Sequence, residues 1–270
     1  MRDATKQALS TVFIFVCALC PTILPGVGEA GASSATITIL YNNVPGRADC
    51  ITDWGFGCLI EGTDKTLLFD TGGDADILLH NMRRMDVDPG RIDAVVLSHI
   101  HGDHVGGLAG FLKHNHDVTV YLPASFPARF KGAVRKSGAT VVEVSGPRRL
   151  CKGVYTTGEM GDRIREQALI VKTPKGMAII TGCAHPGIVK IVQAAREQHD
   201  GDIYLVTGGF HLSSTPRGGI EEIISRLREV GVRTVAPSHC TGALARDLFR
   251  DAWGRAFLDG GAGATIELPD

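Results

Sequence analysis

The 270-residue chain is 44% hydrophobic and sets 28 Lys and Arg against 29 Asp and Glu, a formal net charge of −1 at pH 7. That length and apolar content suffice for one substantial core and one catalytic domain. No polybasic run is present, which argues against nucleic acid as a partner and leaves a small-molecule substrate as the expectation.

The chain opens with "MRDATKQ", an apolar run "ALSTVFIFVCALCPTIL" and the small residues "GVGEAGASSA". This is the composition of a secretory signal over residues 1–35, with a catalytic domain over 36–270. An exported protein, periplasmic or secreted, is expected. Pro21 interrupts the apolar run, so no stable membrane span is expected after cleavage; an uncleaved anchor is the other reading. Cys17 and Cys20 belong to this segment. Cys50, Cys58, Cys151, Cys183 and Cys240 form an odd set without a CxxC pair, which argues against a disulfide framework and a zinc ribbon. Cys50 and Cys58 either bridge in an oxidising compartment or stay as two thiols.

Short β-like runs follow at 36–42, 57–62 and 65–70. Residues 74–87 place Ile77, Leu78, Met82 and Met85 on one helical face, and 92–98 reads as a buried strand. Then helix (107–115), strand (118–123), helix (127–138) and strand (139–145) alternate. The second half predicts two strands (168–174 and 176–186) joined by a turn at 174–176, a helix (187–200), a strand (202–211), a helix (219–231), a strand (233–240), a helix (243–254) and a last strand (263–268). Two sheets packed face to face with helices outside account for this order.

Four of the strand-like runs end in histidine: "VVLSHIHGDH", "IITGCAHPG", "LVTGGFHL" and "VAPSHCTG". Parallel strands bring such ends to one edge, so His99, His101, Asp103, His104, His185, His211 and His239 are expected to converge. Imidazoles with a carboxylate suit zinc, and manganese or iron as alternatives. A catalytic zinc takes three protein ligands and a water, and seven candidates exceed that need, so two divalent metal ions are expected. Within the cluster, His99 and His101 share one side of an extended segment. Gly102 is expected to turn the loop so that Asp103 and His104 face the second ion, and Gly106 and Gly107 to let the chain approach the metals.

These residues resemble a known family. HxHxDH at 99–104 and "LFDTG" at 68–72 are similar to the signature motifs of the metallo-β-lactamase fold, and the likeness extends over 36–268. "WGFGCLIE", "GCAHPGIVKIV", "GGFHL" and "HCTG" resemble the branch of metal-dependent hydrolases related to 7,8-dihydropterin-6-yl-methyl-4-(β-D-ribofuranosyl)aminobenzene-5′-phosphate synthase. The resemblance implies an α/β fold, a four-layer αββα sandwich. It implies that His99, His101 and His185 hold one metal, that Asp103, His104 and His239 hold a second, and that Asp70 orients the loop carrying the ligands. Many relatives bridge their metals with an aspartate at the end of the strand that here closes on His211. His211 is accordingly expected either to ligate an ion or to act as an acid/base.

Cys183 and Cys240 adjoin expected ligands. Because neighbours in a strand point to opposite faces, they are expected to pack as small hydrophobes, with thiolate coordination as the alternative. His80, His114, His116 and His199 read as surface positions. Trp54 and Phe56 either stack on a planar substrate group or cover the core.

The chemistry expected is hydrolysis of an ester, lactone, amide or phosphoester. Bound metal would depress the pKa of a water from about 15.7 towards 7, Asp103 would ligate and accept a hydrogen bond from that nucleophile, and His211 would protonate the leaving group. The alternatives are a dihydropterin-type transferase displacing pyrophosphate, an iron-dependent redox protein of the same fold, and a non-catalytic metal-binding protein.

Overall fold

The computed structural model describes Met1 and residues 35–269. The expected export segment, apart from its two end residues, lies outside the described residues. Among these, no helix is long and apolar enough to cross a membrane.

One sheet contains β1 (Thr36–Asn42), β2 (Phe56–Glu61), β3 (Leu67–Phe69), β4 (Ala94–Val96), β5 (Thr119–Pro123), β6 (Thr140–Val144) and β13 (Thr265–Glu267). Its spatial order is β13-β1-β2-β3-β4-β5-β6. The other contains β7 (Arg148–Cys151), β8 (Val154–Thr156), β9 (Leu169–Thr173), β10 (Gly176–Thr181), β11 (Ile203–Gly209) and β12 (Val232–Ser238), ordered β12-β11-β10-β9-β8-β7. The helices are α1 (Ala75–Arg84), α2 (Gly102–Val105), α3 (Leu108–His114), α4 (Ala128–Lys136), α5 (Ile188–Gln198), α6 (Arg217–Glu229) and α7 (Ala243–Trp253).

Strand alternation builds the layers. Ile60, Leu67, Phe69, Ala94 and Val96 of the first sheet face Val171, Ala178, Ile180, Leu205 and Ala236 of the second in one buried cluster. Their neighbours Leu59, Leu68 and Val95 point the other way, onto Leu78, Met82 and Phe111 of α1 and α3. Ile179, Val206 and Val235 likewise meet Ile188, Ile220 and Phe249 of α5, α6 and α7. Every sheet face is therefore covered, which gives the four-layer αββα sandwich. Burying each such aliphatic or aromatic side chain contributes about 1.5–3 kcal/mol, so the sandwich rests chiefly on these three apolar layers.

β7 and β8 were not expected from the sequence. Their exposed Arg148 and Arg149 hide an edge hairpin that shows little apolar alternation. The run 176–186 was read as one strand but ends at Thr181, because the chain beyond it turns into the loop that carries His185. Cys50 and Cys58 are both free thiols, and Phe56 is fully buried against Phe69.

Candidate metal centre

β10, β11 and β12 run parallel, so their C-terminal ends lie together and deliver His185, His211 and His239 to one edge. β4 of the facing sheet delivers His99, and α2 begins directly after His101. Backbone conformation finishes the placement: Asp70, Ala184, His211 and His239 all have φ between 50° and 60°. Left-handed conformations in residues with a Cβ cost about 1–3 kcal/mol each and gather at functional sites. They also end the strand alternation, which changes the reading of the cysteines. Cys183 and Cys240 point towards the histidines rather than into a purely apolar layer, because both lie beyond the last paired residue of their strands.

The glycines act differently from the expectation. Gly102 starts α2 with open space where a Cβ would sit. A Cβ on Gly106 would lie 2.2 Å from Gly73 O, and one on Gly107 2.1 Å from Thr71 O. Their bareness lets the helical segment press against the 71–73 loop.

Three donor groups result, two of them built on the expected ligands and a third joining Cys183, His211 and Cys240. His99, His101 and His185 form the first, with His99 Nε2 3.1 Å from His101 Nδ1 and the His185 ring centre 4.8 Å from each of the other two. Asp103, His104 and His239 form the second: Asp103 Oδ2 is 3.5 Å from His104 Nε2 and 3.3 Å from His239 Nε2. Cys183 Sγ joins this set, 3.2 Å from His104 Nε2. The sets adjoin, with the His99 and His104 ring centres 4.2 Å apart.

The hydrogen bonds behind the rings fix their tautomers. A carboxylate only accepts, so His104 Nδ1 donates to Asp70 Oδ2 at 2.7 Å. Ser98 Oγ also donates to Asp70 Oδ2, at 2.6 Å, and can then only accept from His99 Nδ1, at 2.9 Å. Asn43 Oδ1 accepts from His239 Nδ1 at 2.8 Å. Each of these three rings leaves Nε2 as a bare lone pair facing the neighbouring donors, the form required of a metal ligand. Nε2 of His185 and of His239 is buried without a hydrogen-bond partner. Such orphaned acceptors cost free energy unless something occupies the site. Tetrahedral coordination with metal–donor distances of about 2.0–2.3 Å puts donors about 3.3–3.7 Å apart, close to the spacings observed, so the residues fit divalent ions.

Glu166, Asn43 and Ser98 were not singled out from the sequence. Glu166 is fully buried and accepts from the backbone N–H groups of Cys183 (2.9 Å), Ala184 (2.8 Å) and His185 (2.8 Å), which holds the whole histidine loop. Within "DRIREQ" it reads as one more surface charge. Ser98 had a local signal in its adjacency to His99; Asn43, in a turn-like "NNVPG", had none.

Electrostatics keep the first set neutral. Burial, reinforced by neighbouring imidazoles, lowers His99 well below the usual histidine range and His185 to about 4; burial also lowers His101. Burial likewise opposes a proton on His104, but Asp70 and Asp103 outweigh it and raise its pKa. Burial pushes Asp103 up, yet the facing His239 and His104 imidazoles hold it at about 2. His211 stands at the exposed rim with its ring 4.3 Å from that of His185, and its pKa is raised chiefly by the nearby Cys240 sulfur.

A cavity of about 270 Å³ opens beside the second set, lined by Asn43, Trp54, Ser213, His239 and Arg246 among others. Trp54 is 53% exposed with its ring 4.9 Å from that of His239. A larger cavity, of about 430 Å³, lies around Lys172, Asp202 and Arg233 and contains none of the histidines.

A family model described as the Metallo-beta-lactamase superfamily matches residues 58–192. The chain is 30% identical over 263 aligned positions to 7,8-dihydropterin-6-methyl-4-(beta-D-ribofuranosyl)-aminobenzene-5'-phosphate synthase of Methanocaldococcus jannaschii, covering 79% of this chain and 90% of that one. Among solved structures it is similar to Tm1679, described as a metal-dependent hydrolase of the beta-lactamase superfamily. That likeness has TM-score 0.74 and 28% identity over 87% of this chain and 100% of the other. The metallo-beta-lactamase fold protein YhfI of Bacillus subtilis shares the fold at TM-score 0.65 and 16% identity, with 87% of this chain and 100% of that chain covered.

Proposed function

The chain belongs to the metallo-beta-lactamase superfamily, and we propose that within it the protein is a metal-dependent hydrolase of a small-molecule ester, lactone, amide or phosphoester. The observation that carries this reading is the pair of adjoining donor sets, His99–His101–His185 and Asp103–His104–His239, with the Nε2 lone pairs of His99, His104 and His239 left free of protons by the hydrogen bonds behind them. The likeness to Tm1679 supports it. Bound divalent ions, zinc by the preference of imidazole-rich sites, supply Lewis acidity and a hydroxide nucleophile near neutral pH.

The chain's own residues do the rest. Asp70, Ser98 and Asn43 orient the imidazoles, and Glu166 fixes the loop bearing His185. His211 stands at the open rim, where it can hand a proton to a leaving group. Trp54 offers a flat apolar face at the mouth of the cavity beside His239.

Metal analysis with a panel of esters, lactones and phosphodiesters tests the reading. Two divalent ions per chain and turnover abolished by His101→Ala and Asp103→Ala are expected. Full turnover and metal content in either variant would remove it. A second reading, transfer of an arylamine to a dihydropterin with loss of pyrophosphate, is favoured by the identity with the Methanocaldococcus jannaschii synthase. Pyrophosphate release that requires the arylamine would select it over hydrolysis.

A further inference from the structure

The two donor sets differ in number and in charge. The first offers three imidazoles and nothing else. The second offers an imidazole pair and a carboxylate, with a sulfur within reach of all three. We propose that Cys183 is the fourth ligand of the second set, closing it and leaving the open coordination position of the pair at His99, His101 and His185. This rests on the metal-centre reading above.

Geometry supports the assignment. Asp103, His104, Cys183 and His239 each place one donor atom within 4.8 Å of the other three, with Cys183–His104, Asp103–His239 and Asp103–His104 spacings of 3.2, 3.3 and 3.5 Å. Four tetrahedral donors at nitrogen–metal and sulfur–metal distances of about 2.0–2.3 Å stand about 3.3–3.7 Å apart. Cys183 is buried and its backbone is held by Glu166, so the sulfur has a fixed place. A side chain at Gly209, the last residue of β11, could not take that place. A Cβ on Gly209 would lie 2.4 Å from Gly182 O and 2.7 Å from Cys240 Sγ. Cys240 Sγ instead fills this space, 3.7 Å from Cys183 O, and backs the ligand rather than joining Asp103 and His104.

On ion binding the Cys183 S–H bond gives way to a sulfur–metal bond and the proton passes to solvent, with no change of oxidation state. Thiolate and carboxylate together then balance a divalent charge. An ion among three neutral imidazoles keeps its full double charge and is the stronger Lewis acid. The structure thus divides the pair into a closed, charge-balanced set and an open, cationic one.

Cobalt(II) loading of the full chain tests this. Wild type is expected to take two equivalents and to show a near-ultraviolet thiolate-to-cobalt charge-transfer band. Cys183→Ser should lose that band and keep the visible cobalt bands of the first set, while Cys240→Ser should keep the charge-transfer band. Should Cys183→Ser fail to fold, X-ray absorption of the zinc-loaded wild type should show a sulfur scatterer at about 2.3 Å. Two bound equivalents without any sulfur signature overturn the assignment and leave the two-ion hydrolase standing. A band that survives Cys183→Ser, or that is lost only in Cys240→Ser, also overturns it. Failure to bind any metal overturns both readings.

Discussion

Asn43 and His239 are 196 residues apart in sequence, and Asn43 Oδ1 accepts a 2.8 Å hydrogen bond from His239 Nδ1. Asn43 lies just beyond β1 of one sheet and His239 just beyond β12 of the other, so the bond ties the sheets together at the mouth of the donor sets. Partners of this kind behind a ligating imidazole are worth about 10–100-fold in metal affinity. Asn43→Leu should weaken the second equivalent of metal by that factor, and Asn43→Asp, which keeps an acceptor, should restore much of it. Competition titration with a chelating dye measures both; equal losses in the two variants would show that the acceptor is not what matters.

Glu166 holds three backbone N–H groups with two carboxylate oxygens. Glu166→Gln replaces one oxygen by an NH2 group that must face a backbone donor. Hydrogen bonds to charged groups contribute about 1.5–3 kcal/mol each, and the variant should lose about that much stability. The urea midpoint should fall with an unchanged denaturant slope. Metal affinity should fall in both sets, since the loop carries Cys183 and His185.

The chelated, metal-free protein should lose stability on mild acidification. His185 has its pKa lowered from 6.5 to about 4, so below 6.5 the unfolded chain takes up a proton that the folded chain refuses, and stability falls until about pH 4. His99 and His101 act in the same direction. His104 opposes them, because its raised pKa contributes stability that is present below 6.5 and lost as pH rises through the folded value. Asp103, lowered from 3.8 to about 2, contributes stability above 3.8 that disappears as pH falls towards 2. Denaturation midpoints at pH 7 and pH 5 should differ, and His185→Gln should reduce the difference. A midpoint independent of pH in wild type would contradict the assigned burial of the first set.

Trp54 is exposed and packs on the His239 ring rather than in the core. Trp54→Ala should therefore leave stability within about 0.5 kcal/mol of wild type. For substrates bearing a planar group KM should rise with kcat nearly unchanged, the signature of lost uniform binding. Steady-state kinetics on planar and non-planar substrates of the same bond type separates this from a general loss.

Local patterns carried most of the fold. The continuous burial of Leu67, Leu68 and Phe69 and of Ala94, Val95 and Val96, packed alternately on the two faces of their sheet, follows directly from apolar runs too short for helices. The helical face of α1 is readable from Ile77, Leu78 and Met82, and its start is marked by Asp74, whose side chain accepts from Asp76 N and Ile77 N. The hairpin of β7 and β8 was not legible, because edge strands with arginines on their outer positions lack the alternation that betrays a half-buried strand.

By itself, the sequence determined that histidines close four strand-like runs and that one of them is HxHxDH, since ligands a few residues apart are arranged by their own turn. Only the tertiary structure decided which groups stand behind those ligands and which way the cysteines face. Asn43 reaches His239 across 196 residues, Cys183 reaches His104 across 79, and Glu166 reaches His185 across 19. Such contacts arise from two sheets packing face to face and from left-handed residues at Ala184 and His239 that break the strand alternation. No spacing along the chain encodes them, because they are set by where separate strands end relative to one another in space.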